Sequence, residues 1–174
     1  MKITLKLLTI LFFVSVTLSS NSVLAKRAAI IIDYDTQEVL FEVNADTLNY
    51  PASLAKIMTL YIVFDHLDKN KLSWDAKMKV SETASSRSPS KLYLEKDSSI
   101  SVRDAVMALI VKSANDVATV IAEHIAGTER DFAKLMTKYA KQIGMNKTTF
   151  KNASGLPNRA QLTTARDMAT LSYF

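Results

Sequence analysis

The chain has 174 residues, 48% of them hydrophobic and 22% charged, with no cysteine, three glycines, three prolines and a formal net charge of +5. This composition suits one globular domain with its own core, and the missing cysteines exclude disulfide frameworks, thiolate metal sites and cysteine nucleophiles. Two histidines, His66 and His124, leave little for a metal site, and the scattered glycines exclude glycine-rich phosphate loops, so no metal and no cofactor is expected.

Residues 1–25 begin with Lys2 and Lys6, continue through an apolar run from Leu7 to Leu18, and end on the small-residue pattern Val23-Leu24-Ala25. That layout predicts a secretory signal peptide, and with it export across the inner membrane to the periplasm or cell envelope. An uncleaved anchor is the alternative. Cleavage after Ala25 leaves residues 26–174 with 20 basic and 17 acidic residues, a net of +3. Such a balance does not argue for nucleic acid.

Residues 28–43 hold two short β-branched and aromatic runs around Asp33–Gln37, which predicts a β-hairpin. From Ser53 to Leu67 apolar residues cover nearly every helical face, so a buried helix is expected, with Pro51 at its start. Residues 68–100 are polar and broken by Pro89, with one short strand expected near Met78–Val80. Ser101 and Asp104 spell a capping box for a helix running to about Val111. A second helix spans Asp116 to Ala126 and stops at Gly127; a third starts behind Thr128 and ends near Gly144. Asn152–Pro157 reads as a turn-rich loop, and a last helix opens near Thr164.

Ser53 and Lys56 stand three apart at the start of the first of these helices, close enough for a lysine amine to take a serine proton. Apolar neighbours Leu54, Ala55, Ile57 and Met58 would desolvate the amine and lower its pKa. The alternative is that Ser53 only caps the helix and Lys56 snorkels to water. Ser88 and Lys91 repeat the same spacing in the polar loop, so spacing alone is weak. Ser113-Ala114-Asn115 offers a hydroxyl and an amide from one tight turn, although Asn115 or Asp116 is also expected to cap the next helix. A Ser-His-Asp triad is the rival constellation. Neither His66 nor His124 sits beside a promising serine.

Taken in order, Pro51–Thr59 with its Ser53-x-x-Lys56, Lys112–Ala118 with Ser113-x-Asn115, Asn152–Pro157, and Thr163–Ala169 resemble the serine-type D-alanyl-D-alanine carboxypeptidases, the low-molecular-mass penicillin-binding proteins. The likeness runs through nearly all of residues 28–174. It implies an α/β (α+β) fold of the β-lactamase/transpeptidase-like, penicilloyl-serine transferase type: an antiparallel sheet with helices plus a helical subdomain. It implies Ser53 as acylated nucleophile, Lys56 as its base, Ser113 as proton relay to the leaving group and Asn115 as substrate-binding residue. The substrate would be a peptidoglycan pentapeptide ending in D-Ala-D-Ala, with β-lactams as mimics.

Two departures from that family stand out. Its middle triplet usually carries glycine where Ala114 stands. Its Lys-Thr-Gly or Lys-Ser-Gly strand, which contacts the substrate carboxylate, has no counterpart, since the three glycines follow Ala126, Ile143 and Ser154. The expectation is therefore a C-terminally truncated catalytic domain over residues 26–174. The family's membrane-attaching tail, and any peripheral membrane association, would belong to a full-length form. An inactive truncated or split-gene fragment, a D,D-endopeptidase and a β-lactamase are the alternatives; the sequence leaves the oligomer unknown.

Overall fold

The computed structural model describes residues 27–174, so the expected signal peptide lies outside the described residues. Strands β1 (Ala29–Ile32) and β2 (Val39–Val43) pair antiparallel, with Ala29 opposite Val43. The Asp33 carboxylate closes their turn by accepting the amides of Asp35 and Thr36 and the Thr36 hydroxyl, and these bonds to the ionised form hold its pKa below the usual carboxylate range. The hairpin is the expected one. Its apolar side chains Ile31, Leu40 and Phe41 are nevertheless exposed.

One 3₁₀ turn (Ala52–Leu54) leads into helix α1 (Ala55–Asp68). Ala55, Met58, Ile62 and Val63 are fully buried along it, while Phe64 is exposed. The helix is therefore less enclosed than its sequence predicts. In the polar stretch that follows, strand β3 (Lys77–Lys79) pairs antiparallel with β4 (Ser99–Ser101). Between them sits the short helix α2 (Glu82–Ser85), capped by the Ser81 hydroxyl. Of these three elements the sequence pointed only to β3.

Helix α3 (Val102–Lys112) starts on the expected capping box, with the Asp104 amide donating to Ser101 Oγ at 3.1 Å. Helix α4 (Asn115–Ala126) is the centre of the molecule. Every residue from Asn115 to Ala122 is buried, and α1, α2, α3, β3 and α5 (Glu129–Gln142) all pack on it. Val117, Val120 and Ile121 supply the apolar bulk, and the small side chains of Ala118 and Ala122 let neighbouring helices approach. The first two turns of α4 are buried on every side, with the polar Asn115, Asp116 and Thr119 each hydrogen-bonded there. Phe132 and Met136 of α5 are fully buried beside it, each contributing about 1.5–3 kcal/mol of burial.

Helix α6 (Ala165–Tyr173) is capped by Thr164 through the Asp167 amide at 3.0 Å. It packs against β1, and its Arg166 ties that contact down by pairing with Asp46 at 3.0 Å and with Glu42. The fold is thus a helical body around α4 with antiparallel two-stranded sheets at its margins. Among the described residues no helix is long and apolar enough to cross a membrane.

Candidate active site

The polypeptide around Ser53 takes its shape from a close backbone contact. Gly155 has φ +86°, and a Cβ there would fall on the Ala52 carbonyl group, so only glycine lets the Asn152–Pro157 loop lie against the Ser53 turn. On the other side of that contact Ala52 has φ +47°, a left-handed conformation that costs a non-glycine residue about 1–2 kcal/mol. The loop itself is braced by side chains. Asn152 Oδ1 accepts the Gly155 amide at 2.7 Å, and the buried Gln161 Oε1 accepts the amides of Lys151 and Asn152 at 2.9 and 3.1 Å.

This braced loop is what receives Lys56. The lysine is 3% exposed; its Nζ donates to the Ser154 carbonyl at 2.6 Å and lies 3.4 Å from Ser53 Oγ. One turn on, Thr59 Oγ1 donates to the Ala153 carbonyl at 2.8 Å. Burial pushes the Lys56 amine down from 10.5 to about 8, because an ammonium loses hydration there and gains only neutral partners. Both halves of the alternative reading fail on this geometry. Ser53 makes no side-chain cap bond to the helix, and Lys56 is turned inward. A hydroxyl beside an amine that is readily deprotonated is the arrangement needed for proton transfer out of a serine.

Ser113 ends α3 with φ +55° and ψ +43°, a left-handed stop supplied by neither glycine nor asparagine. Ala114, where the resembled family usually has glycine, has φ −70° and ψ +119° and is fully buried. Alanine fits that backbone without strain. Asn115 does not cap α4, because its groups face the polar loop, whereas Asp116 both accepts the Val117 amide in the first turn at 2.9 Å and faces that loop. Asn115 donates its amide N–H to the Ser90 carbonyl at 2.7 Å and its Nδ2 to the Ser88 carbonyl at 2.9 Å. Asp116, fully buried, accepts the Leu92 and Leu94 amides at 3.1 and 3.2 Å.

The structure thus brings Ser53 and Lys56 together directly. Among the described residues no hydrogen bond links Ser113 or Asn115 to that pair. The histidines stand apart: His66 Nδ1 faces the Ile62 carbonyl at 2.9 Å, and His124 is exposed. Among the described residues no three His, Asp or Glu side chains are placed to hold a metal ion. A cavity of about 310 Å³ opens beside the Ser53 turn, lined by Tyr50, Ala52, Gly155, Leu156 and Arg159. The sequence marks Asn152–Pro157 as a turn-rich loop but carries no sign that Ser154 and Ala153 present carbonyls to Lys56 and Thr59. A backbone acceptor leaves no side-chain signature, and Gly155 was the one visible sign of a close approach.

The family described as D-alanyl-D-alanine carboxypeptidase matches residues 15–174. The D-alanyl-D-alanine carboxypeptidase DacF of Bacillus subtilis is 36% identical over 146 residues, which cover 84% of this chain and 38% of the relative. The crystal structure of the D-alanyl-D-alanine carboxypeptidase DacD from Francisella tularensis superimposes with a TM-score of 0.82 at 44% identity, over 84% of this chain and 35% of that one. Penicillin-binding protein D2 of Listeria monocytogenes, in its ampicillin-bound form, gives a TM-score of 0.76 at 36% identity over 88% of this chain and 62% of that one. The fold is thus that of the penicillin-binding proteins, as the motifs implied, and the chain spans well under half the length of the first two.

Proposed function

Because the chain belongs to the D-alanyl-D-alanine carboxypeptidase family, we propose that residues 26–174 form the N-terminal part of a serine D,D-peptidase domain acting on the D-alanyl-D-alanine end of peptidoglycan stem peptides. Ser53 Oγ adds to the carbonyl carbon of the penultimate D-alanine while Lys56 Nζ takes the hydroxyl proton. The C–N bond to the terminal D-alanine then breaks, Ser113 passes a proton to the departing amine, and an acyl ester remains on Ser53 for water to hydrolyse. Asn115 turns its Nδ2 to Ser88, and its Oδ1 is the acceptor offered to a substrate N–H. A β-lactam would open on the same hydroxyl.

The observation that carries this reading is the Lys56 amine, 3.4 Å from Ser53 Oγ and lowered to about 8 by burial. With that pKa about one molecule in ten holds a neutral amine at pH 7, against fewer than about one in a thousand for an ordinary lysine. The sequence holds no Lys-Thr-Gly or Lys-Ser-Gly triplet, so substrate-carboxylate binding is assigned to none of its residues. Residues 1–25 act as a signal peptide removed after Ala25, delivering the protein to the periplasm.

The test is to express the whole chain, react the exported product with a fluorescent penicillin, and map the adduct by mass spectrometry. The expected product begins at Lys26 and carries the label on Ser53. Label on another residue, or label retained in Ser53→Ala, overturns the assignment. Release of D-alanine from a synthetic pentapeptide tests the full reaction; a folded chain that gives neither adduct nor release is an inactive fragment.

A further inference from the structure

The loop that receives Lys56 is itself held by a carboxylate from another helix. Glu129, the first residue of α5, has a side chain only 12% exposed. Its Oε1 accepts the Ala153 amide at 3.1 Å and lies 3.4 Å from Thr119 Oγ1 of α4. Its Oε2 pairs with the Arg87 guanidinium, whose Nε donates to the same Thr119 hydroxyl at 2.9 Å. One carboxylate therefore joins three segments: α4, the polar loop that faces Asn115, and the loop at Lys56. The amide it grips is followed directly by the two carbonyls that matter, since Ala153 O takes Thr59 and the next carbonyl, Ser154 O, takes Lys56.

An acid in the first turn of a helix has an ordinary role in favouring the helix dipole. Glu129 has more specific partners than that role needs. The charge-assisted bond to Arg87 holds Oε2 while Thr119 and the Ala153 amide meet Oε1, so the carboxylate is held at both oxygens and in turn holds the Ala153 N–H. On the reading of Ser53 and Lys56 given above, we propose that Glu129, clamped by Arg87, is a positioning residue: by holding the Ala153 N–H it fixes the Ala153–Ser154 segment so that Ser154 O keeps Lys56 Nζ beside Ser53 and out of water.

The sign of one measurement separates this role from a simple charge effect. Desolvation is the cause behind the low Lys56 pKa, with no carboxylate contributing, and no ion pair reaches Lys56 among the described residues. Removing a distant negative charge would leave that pKa unchanged or lower it. Loosening the loop would admit water to the amine and raise it.

The experiment follows the ¹³Cε signal of Lys56, assigned by its loss in Lys56→Met, from pH 6 to pH 11 in the whole labelled chain. The parent is expected to titrate near 8. Glu129→Gln is expected to titrate at least about one unit higher. Glu129→Asp, which keeps the charge but shortens the arm, should move the same way and carries the test if Glu129→Gln does not fold. Arg87→Lys, which removes the fork and leaves Glu129 in place, should give a smaller rise. Penicillin acylation should slow at least about tenfold in the Glu129 variants, in line with the cost of small misplacements. An unchanged or lowered midpoint in these variants overturns the proposal. A midpoint that rises in a chain whose parent takes no penicillin label supports the positioning role while refuting acylation at Ser53.

Discussion

Ser53–Lys56 and Ser88–Lys91 share one spelling, and the protein treats them in opposite ways. The first pair lies where a 3₁₀ turn enters α1, so residues three apart stack on one face. The second is interrupted by Pro89, and its serine backbone and its amine are engaged elsewhere, as is the intervening Ser90. The Ser88 carbonyl accepts Asn115, Ser90 Oγ donates to the Lys112 carbonyl at 2.7 Å, and Lys91 Nζ donates to the Ser85 carbonyl at 3.0 Å. Lys91 also sits 5.2 Å from the Tyr93 ring centroid. Lys56 is buried against the Ser154 carbonyl and the Ser53 hydroxyl, whereas Lys91 has a carbonyl and an aromatic face for company. Spacing sets which groups can meet, and surroundings set what the amine can do once they meet.

The largest contrast should appear in acylation. Lys56→Met removes the proposed base, a role worth about 10²–10⁴-fold in rate, so penicillin labelling of Ser53 should fall by that factor. Lys91→Met should change it by less than about twofold, since surface substitutions away from a site are nearly neutral. Stopped-flow or gel-based labelling rates on the two variants check this. Equal losses would erase the distinction between the two regions.

The next contrast concerns stability and its sign. The folded pKa of Lys56 lies below its ordinary value of 10.5, at about 8. Between these values the unfolded chain holds more protons than the folded one, so stability rises with pH across that window. Below it, burying the charged amine costs about 3 kcal/mol, the free energy of a shift of that size. Tyr139 acts in the opposite direction, since burial and its bond to Asp65 push it up to about 12, and stability is lost as pH rises from 10 towards 12. Comparison with Lys56→Met cancels that contribution. Denaturant unfolding at pH 7 and pH 10 should show the parent gaining about 2–3 kcal/mol on the variant; a constant difference would mean that Lys56 is not desolvated.

These two regions also mark how far the sequence could be read. Helix starts were legible to within a residue or so at the Ser101–Asp104 capping box, behind Thr128 and near Thr164, where the structure adds the Thr128–Asp131 and Thr164–Asp167 cap bonds. Local chemistry determines such boundaries. Strand β4 was not legible, because three residues with alternating polarity carry almost no periodic signal and their pairing with β3 is non-local. Asn115 misled for a related reason, since its cap-like side chain serves a tertiary role in holding the Ser88–Leu94 loop, a role Asp116 combines with its bond to the first turn of α4. At the candidate site Ser53 and Lys56 were visible from side chains. The carbonyls of Ala153 and Ser154, and the carboxylate of Glu129 behind them, depend on chain segments distant in sequence.

The smallest effect tests the second region alone. The ammonium of Lys91 has one carbonyl acceptor and one aromatic face, and a cation over a partly exposed ring contributes about 0.5–1 kcal/mol. Methionine retains the length and apolar stem of lysine, so Lys91→Met loses the charge interactions while keeping much of the contact along the chain. Its cost in urea unfolding at pH 7 should be no more than about 1 kcal/mol. Lys56→Met at the same pH should be neutral or stabilising, because the burden of a buried ammonium disappears with it. The two substitutions are chemically identical and should differ in sign. If Lys91→Met were instead the one that stabilised the fold, the desolvated amine would lie in the polar loop and the proposed roles of the two pairs would be reversed.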